Sequence, residues 1–114
     1  MKQLSSLDIH FLLKELKELE GSRVDRIYSR GKEEFYIQLF KSGSGKKVLR
    51  VIVGRCIFLT SEKNIDEEPS GFCMLLRKHL EGKFLDSITQ LEPERILSAQ
   101  FENKSHLKVL INSW

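Results

Sequence analysis

The stretch LEGSRVDRI at residues 19–27 returns as LEGKFLDSI at residues 80–88. Between residues 11 and 53, thirteen of the forty-three positions carry the same amino acid sixty-one residues later, where chance gives about three. This ungapped match indicates an internal duplication. We assign residues 5–60 to a first copy and residues 66–114 to a second copy, so each copy can be used to interpret the other.

Each copy has the pattern of one amphipathic helix followed by short strands. In the first copy, apolar residues at helical spacing follow Ser5, and Gly21 supplies the left-handed conformation that ends a helix. In the second copy, Pro69 and Ser70 suit a helix start, and Gly82 occupies the same stop position. The predicted buried stripe of the second helix consists of Phe72, Leu75, Leu76, His79 and Leu80.

Runs with strand-like composition follow each helix. The predicted strands are 23–29, 34–40, 47–53 and 55–60 in the first copy, and 84–91, 95–101 and 106–111 in the second. The resulting fold class is α+β, with two repeated α-β-β-β(-β) units that form a two-sheet antiparallel β-sandwich flanked by two helices. We treat residues 1–114 as one domain, because the acidic connector 61–68 is too short to separate two.

The repeat also predicts a missing strand. Residues 54–60 correspond to positions 115–121, past Trp114, so we expect a fragment or a short product whose second sheet has an open edge. An open edge invites pairing with another strand. We therefore expect self-association through the strand 106–111.

The charge is unevenly distributed. Residues 21–55 hold nine Lys or Arg against three acidic residues, although the formal net charge of the whole chain is only +3. A basic surface of this size favours phosphates or an anionic partner, and a solvated face of an ordinary domain explains it equally well.

The remaining composition favours an intracellular binding protein. No apolar run reaches the roughly eighteen residues of a membrane span, and the N-terminus lacks a secretory signal, so we expect a cytoplasmic location.

Cys56 and Cys73 show neither CxxC spacing nor a nearby His cluster. We expect buried, reduced thiols, with a metal site or a disulfide as minor alternatives. His10 and His106 have no partner at ligand spacing, so we expect no metal and no cofactor.

Four segments together resemble one protein family. They are MKQLSSLD at 1–8, GSRVDRIY at 21–28, PSGFCMLLRKHLEG at 69–82 and ERIL at 94–97. The sequence is similar to the N-terminal domain of the NFACT family, which includes NEMF, RqcH and proteins once called fibronectin-binding protein A. The resemblance implies a fold similar to that of the N-terminal domain of formamidopyrimidine-DNA glycosylases.

The resemblance also implies a function. The chain is expected to be an RNA-binding module of a ribosome-associated quality control factor. Such factors bind obstructed large ribosomal subunits, engage tRNA, typically alanyl-tRNA, and support mRNA-independent tailing of stalled nascent chains. Family members are much longer, so this chain is expected to be one module and not an enzyme.

The resemblance places tRNA-binding residues at Asp8, Glu94 and Arg95. The family has an Asp-Arg pair where this chain has Glu94-Arg95, so the acid is one methylene longer here. Asp8 also occupies the position of a capping-box acid, which gives it a structural alternative. Arg95 is the stronger candidate, because its counterpart in the first copy is Glu34 and the charge is reversed.

Two further cations lie on the second helix. We expect Arg77 and Lys78 to face outward and to contact RNA or a neighbouring domain. A solvated helix end that complements the helix dipole explains them equally well.

Two alternative functions remain at this point. The first is an intracellular protein–protein interaction module, since a basic sandwich can bind proteins as well as RNA. The second and least favoured is glycosylase-like DNA binding without catalysis. The chain begins Met1-Lys2-Gln3, without the proline amine and the following acid that the glycosylase mechanism needs.

Overall fold

The computed structural model describes residues 12–61, 64–66, 68–91 and 96–110. Residues 12–16 are helical (α1), a 3-10 turn follows at Lys17–Leu19, and the second helix (α2) spans Gly71–Leu80. Within these ranges the strands are Arg23–Arg30 (β1), Glu34–Lys41 (β2), Gly45–Ile52 (β3), Cys56–Thr60 (β4), Leu85–Leu91 (β5), Ile96–Phe101 (β6) and His106–Leu110 (β7). A second 3-10 turn at Glu102–Lys104 connects β6 to β7.

The strands form two antiparallel sheets, one from each copy. The first sheet has the order β1-β2-β3-β4, and the second has the order β5-β6-β7. Strands that are consecutive in sequence are neighbours in each sheet, so both sheets are meanders. The predicted α+β class, with two antiparallel sheets and two helices, is confirmed. The strand expected at 115–121 lies outside the chain and stays a prediction.

The repeated stretch joins the two copies through exchanged backbone hydrogen bonds. The amide of Gly21 donates to the carbonyl of Leu85 at 2.7 Å, and the amide of Gly82 donates to the carbonyl of Val24 at 2.8 Å. A second exchanged pair runs from Val24 N to Lys83 O at 2.8 Å and from Leu85 N to Ser22 O at 2.7 Å. Because each residue lies sixty-one positions from its counterpart, the four bonds define a local two-fold relation between the copies.

The two helix stops are glycines for a conformational reason. Gly21 has φ +90° and Gly82 has φ +83°, a region in which a residue with a Cβ is strained. The predicted helix ends at these glycines are confirmed. Their backbone amides are also the donors of the first exchanged pair, so the same residue ends a helix and contacts the other copy.

The edge strands β1 and β5 are completed by carboxylates from the opposite copy. Glu81 Oε2 accepts from the amide of Ile27 at 3.2 Å, and Glu20 Oε2 accepts from the amide of Ile88 at 2.9 Å. Each carboxylate occupies an edge N–H that a foreign strand could otherwise pair with. The repeated Glu, Gly and Ile residues are therefore positions through which each copy bonds to the other.

Both edge strands also carry an irregularity at the same repeat position. The register shifts between Val24 and Arg26 in β1 and between Leu85 and Ser87 in β5. The residues that lie within these shifts, Asp25 and Asp86, are identical in the two copies. A bulge bends a strand and increases its twist, so the two strands are bent alike where they approach each other.

One hydrophobic core is shared by both sheets and both helices. Its buried members are Leu16, Leu19, Val24, Ile27, Phe35, Ile37, Leu39, Leu49, Val51, Ile57, Cys73, Leu76, Leu80, Leu85, Ile88, Leu97 and Phe101. Cys56 is also buried, although it lies outside this cluster, and burial raises the pKa of its thiol. The expected burial of both cysteines is confirmed, and both thiols are free.

The orientation of α2 differs from the prediction. The side chains that face the core are Cys73, Leu76 and Leu80. Phe72 and Leu75 are about half exposed and His79 is exposed, so their predicted burial was wrong. The helix lies along the edge of β1, where the Cys73 thiol donates to the carbonyl of Ile27 at 3.5 Å. The side of α2 that contains Cys73 is therefore the side that packs against β1 and the core.

The start of α2 agrees with the sequence signal. Ser70 is the N-cap, and its Oγ accepts a hydrogen bond from the amide of Cys73 at 3.1 Å. The amide of Ser70 in turn donates to Ser29 Oγ at 3.0 Å, so β1 also positions the first turn of the helix. Among the described residues, no helix has the length and apolar character that crossing a membrane requires.

Candidate functional site

Asp8, Glu94 and Arg95 lie outside the described residues. The strands on either side of the Glu94-Arg95 pair are described: β5 ends at Leu91, which pairs with Ile96 at the start of β6. The strand that was predicted to begin at Arg95 is therefore described from Ile96 onward, and the roles of the three residues stay predictions.

The first-copy counterpart of Arg95 has a defined environment. The Glu34 carboxylate accepts a hydrogen bond from the Tyr36 hydroxyl at 2.6 Å and one from Arg50 Nη2 at 2.9 Å. Burial alone would raise the pKa of Glu34, but the bonds from Arg50 and Tyr36 outweigh it and hold this pKa below its ordinary value. The second-copy residues that correspond to Tyr36 and Arg50 are Leu97 and Ile111. Arg95 consequently lacks the counterparts of both partners.

A row of aromatic and arginine side chains crosses the first sheet. Tyr28, Tyr36, Arg50 and Phe58 are directly paired across the four strands. The guanidinium carbon of Arg50 lies 5.7 Å from the ring centroid of Tyr36 and 5.4 Å from that of Phe58. Burial, followed by the hydrogen bond to Glu34, raises the pKa of Tyr36, and the same carboxylate raises the pKa of Arg50. Sequence analysis missed this row, because finding it requires the strand register.

Arg77 faces β1, not the solvent. Its Nε donates to the carbonyl of Ile27 at 2.6 Å and lies 3.9 Å from Glu81 Oε2. Its guanidinium carbon is 5.8 Å from the ring centroid of Tyr28, and its side chain is only 17% exposed. The expected outward orientation of Arg77 was wrong, because the edge carbonyl of β1 needs a donor. Lys78 is exposed, as predicted.

Arg77 also lines a cleft between β1, the connector and α2. The cleft has a volume of about 480 Å³, and its lining includes Arg26, Tyr28, Ile65, Asp66 and Arg77. Asp66 Oδ2 accepts from the amide of Gly31 at 2.7 Å, and the amide of Asp66 donates to the carbonyl of Ser29 at 3.0 Å. These two bonds hold the connector against β1 and give the cleft a fixed second wall.

A separate apolar groove lies between the first sheet, α2 and β7. It has a volume of about 330 Å³, and its lining includes Phe35, Val51, Val53, Phe72, Leu76 and Leu107. The rings of Phe35 and Phe72 meet edge to face, with centroids 5.2 Å apart. Phe72, Met74 and Leu75 on α2 are each about half exposed, so an apolar surface continues from the groove along the helix.

The basic character of the first copy is largely exposed, whereas two of its acids have partners within the sheet. Exposed cations include Arg23, Arg26, Arg30, Lys32 and Lys46. Asp25 Oδ2 accepts from Gln38 Nε2 at 2.8 Å, and Glu34 is bound by Arg50. Arg23 is paired with Asp25 at 3.9 Å and Arg50 with Glu34 at 2.9 Å, and the other cations of residues 21–55 still outnumber the acids, so an excess of positive charge is available to an anionic ligand. Among the described residues, no group of three or more His, Cys, Asp or Glu could hold a metal ion.

The fold is that of a duplicated α+β module. Residues 5–112 match the family described as NFACT N-terminal and middle domains, and the chain belongs to that family. Ribosome quality control complex subunit 2 of Saccharomyces cerevisiae is 39% identical over 115 residues, which cover 96% of this chain and 11% of that protein. The NEMF homologue of Drosophila melanogaster is also named a ribosome quality control complex subunit. It is 34% identical over 103 residues, which cover 87% of this chain and 10% of that protein. The predicted family is confirmed.

Bacterial proteins are also similar to this chain, in sequence and in structure. The Rqc2 homologue RqcH of Streptococcus suis is 29% identical over 87% of this chain and 19% of its own length. The N-terminal domain of fibronectin-binding protein PavA from Streptococcus pneumoniae superimposes with a TM-score of 0.76 at 26% identity, covering 90% of this chain and 43% of that one. The chain thus spans a tenth to a fifth of the length of these curated relatives.

Proposed function

We propose that this chain is the RNA-binding module of a ribosome-associated quality control factor, with a binding and not a catalytic role. The support from the comparisons is family membership and the names of the relatives, which are ribosome quality control subunits in yeast and fly. In this proposal the module engages tRNA, typically alanyl-tRNA, on an obstructed large ribosomal subunit in the cytoplasm. The complete factor then supports tailing of the stalled chain without mRNA.

The observation that carries the proposal is the excess of exposed cations on the first copy. Arg26, Arg30 and Lys46 lie on or beside the outer face of the first sheet, where Asp25 and Glu34 are already hydrogen-bonded within the fold. Phosphate contacts supply most of the affinity of a protein for nucleic acid, and they need such uncompensated cations. The predicted tRNA-binding residues Asp8, Glu94 and Arg95 add a second part of the site within this proposal.

The test is tRNA binding by filter retention across a salt series. An Arg95→Ala variant is expected to bind aminoacylated tRNA several-fold more weakly, with an unchanged melting temperature, since Arg95 lacks counterparts of both Glu34 partners. An Arg95→Lys variant retains the charge and is expected to recover part of the affinity. Binding of unmodified protein that does not weaken between low and physiological salt would contradict phosphate recognition.

The apolar groove favours a second candidate, an intracellular protein–protein interaction module. Its exposed Phe72, Met74 and Leu75 could bury an apolar segment of another domain or of a second copy that pairs with β7. Such an interface depends little on salt, so binding that persists at high salt would favour this candidate over RNA. The likeness to glycosylase folds stays an expectation, and DNA binding without catalysis is the least favoured alternative.

A further inference from the structure

We propose that the cleft between β1, the connector and α2 binds one unpaired nucleotide of an RNA ligand. In this arrangement the base lies between Tyr28 and Ile65, and Arg26 and Arg77 bind the adjacent phosphate. The inference rests on the proposed RNA-binding function and adds a site that neither the family resemblance nor the repeat had indicated. The cleft volume of about 480 Å³ is within the usual range for a small-ligand site.

The two walls of the cleft suit a planar base. Tyr28 projects from β1 on one side, and Ile65, which is 38% exposed, projects from the connector on the other. Unpaired bases of RNA are commonly bound by stacking on aromatic rings and on arginine planes. Here the Arg77 guanidinium already lies over the Tyr28 ring, so the stacking surface is organised before a ligand arrives.

The donors of the cleft suit a phosphate. Arg77 is held in place through Nε, and no described residue accepts a hydrogen bond from its two terminal Nη atoms. Arg26 is exposed, and it makes no ion pair with a described residue. Asp66, the acid in the lining, uses its carboxylate on the amide of Gly31. Two arginines therefore face the cleft against one carboxylate, which leaves an excess of one positive charge in the lining.

The repeat shows that the fold does not need an arginine and a tyrosine at positions 26 and 28 of the edge strand. The positions that correspond to Arg26, Tyr28 and Arg77 in the other copy are Ser87, Thr89 and Leu16. The second copy builds the same bulged edge strand with Ser87 and Thr89, and a helix packs with Leu16 fully buried. The architecture therefore does not require Arg26 or Tyr28, and residues that are retained without a structural need are expected at a binding site.

The same correspondence supplies a conservative test. A double variant, Arg26→Ser with Tyr28→Thr, installs the residues that the other copy tolerates. Binding of a labelled single-stranded RNA of about ten nucleotides is expected to weaken at least tenfold, because a stacked base and a phosphate contact are both lost. The slope of log affinity against log salt is expected to fall by about one for each lost phosphate contact. The melting temperature should stay within a few degrees.

A matched control separates the contribution of the cleft to RNA binding from the effect of total positive charge. Lys108 is exposed on β7, so Lys108→Ser also removes one positive charge but leaves the cleft intact. If RNA binding weakens equally in the double variant and in Lys108→Ser, binding of a nucleotide in the cleft is contradicted, while the proposed RNA-binding function stands. If the unmodified chain binds neither this RNA nor tRNA at low salt, both proposals fail. Tyr28→Phe should bind nearly as well as the unmodified protein, and a loss equal to that of the double variant would contradict stacking.

Discussion

The two copies share three residue pairs where they contact each other, and they differ at outer positions of the bulged edge strand. Gly21/Gly82, Glu20/Glu81 and Ile27/Ile88 are identical pairs, and each makes the same contact with the opposite copy. On the outer positions, Arg26 and Tyr28 of the first copy correspond to Ser87 and Thr89 of the second. Mutual contacts fix the residues that both copies must share, and positions that are free of this constraint are where a binding site can differ.

The largest expected effect compares the paired core isoleucines. Ile27→Ala and Ile88→Ala each remove a buried side chain from the shared core, so each should lower the free energy of unfolding by about 2–5 kcal/mol. The Ile27→Ala substitution is expected to cost more, because Ile27 is fully buried and packs in the larger, four-stranded sheet. Urea unfolding of the two variants measures the difference. A clearly larger loss for Ile88→Ala would reverse the comparison.

The next prediction exchanges the residues at positions 34 and 95. Glu34→Arg removes an acceptor from Tyr36 and Arg50 and adds a like charge, so it should cost about 2–3 kcal/mol in stability. The converse variant, Arg95→Glu, should change stability by less than about 0.5 kcal/mol, because Leu97 and Ile111 replace Tyr36 and Arg50 in the second copy, and it should weaken tRNA binding. Thermal unfolding and filter binding on both proteins test the pair. A stability loss at position 95 as large as that at position 34 would contradict the asymmetry.

A smaller and symmetrical effect is expected at the exchanged carboxylates. Glu20→Ala and Glu81→Ala each leave one edge amide without its charged acceptor, at a cost of about 1–2 kcal/mol. Glu18→Ala is the matched control, because Glu18 is exposed and, among the described residues, it is bonded only through its backbone carbonyl, which accepts from Lys41. Chemical denaturation of the three variants should give two similar losses and one near zero. Losses no larger than that of the control would show that water replaces the carboxylates.

The smallest effect is a pH dependence confined to the first copy. The pKa of Glu34 is lowered in the folded protein from its ordinary value of 4.5. The stability that it contributes is therefore present above that value and is lost as pH falls through the folded pKa. The difference in stability between the unmodified protein and Glu34→Gln should be about 1 kcal/mol near pH 7 and should shrink below pH 4. A difference that stays constant from pH 7 to pH 3 would exclude this linkage.

The sequence predicted the architecture well because the duplication supplied it twice. The strand predicted at 23–29 is observed at Arg23–Arg30, and that predicted at 34–40 is observed at Glu34–Lys41. The face of α2 was predicted less well. Helical periodicity allows both a stripe through Phe72 and Leu75 and one through Cys73 and Leu80, and only contacts with β1 decide between them.

The site was less predictable, for a related reason. Arg77 was expected to face outward, since nothing in the sequence shows that the carbonyl of Ile27 needs a donor. The row that includes Tyr36 and Arg50 depends on strand register, which periodicity alone does not supply. Family resemblance identified Arg95, and the structure adds the environment of its counterpart, Glu34.

The exchanged contacts have a consequence for the origin and assembly of the fold. A single copy on its own would leave the amides of Gly21, Val24 and Ile27 without their observed acceptors and would expose the core residues that pack against the other copy. Such a unit is complete only when a second one lies across the two-fold axis, which is the arrangement expected if a symmetric homodimer preceded the fused chain. The same reasoning indicates that two half-chains, divided in the connector, should reassemble spontaneously when mixed.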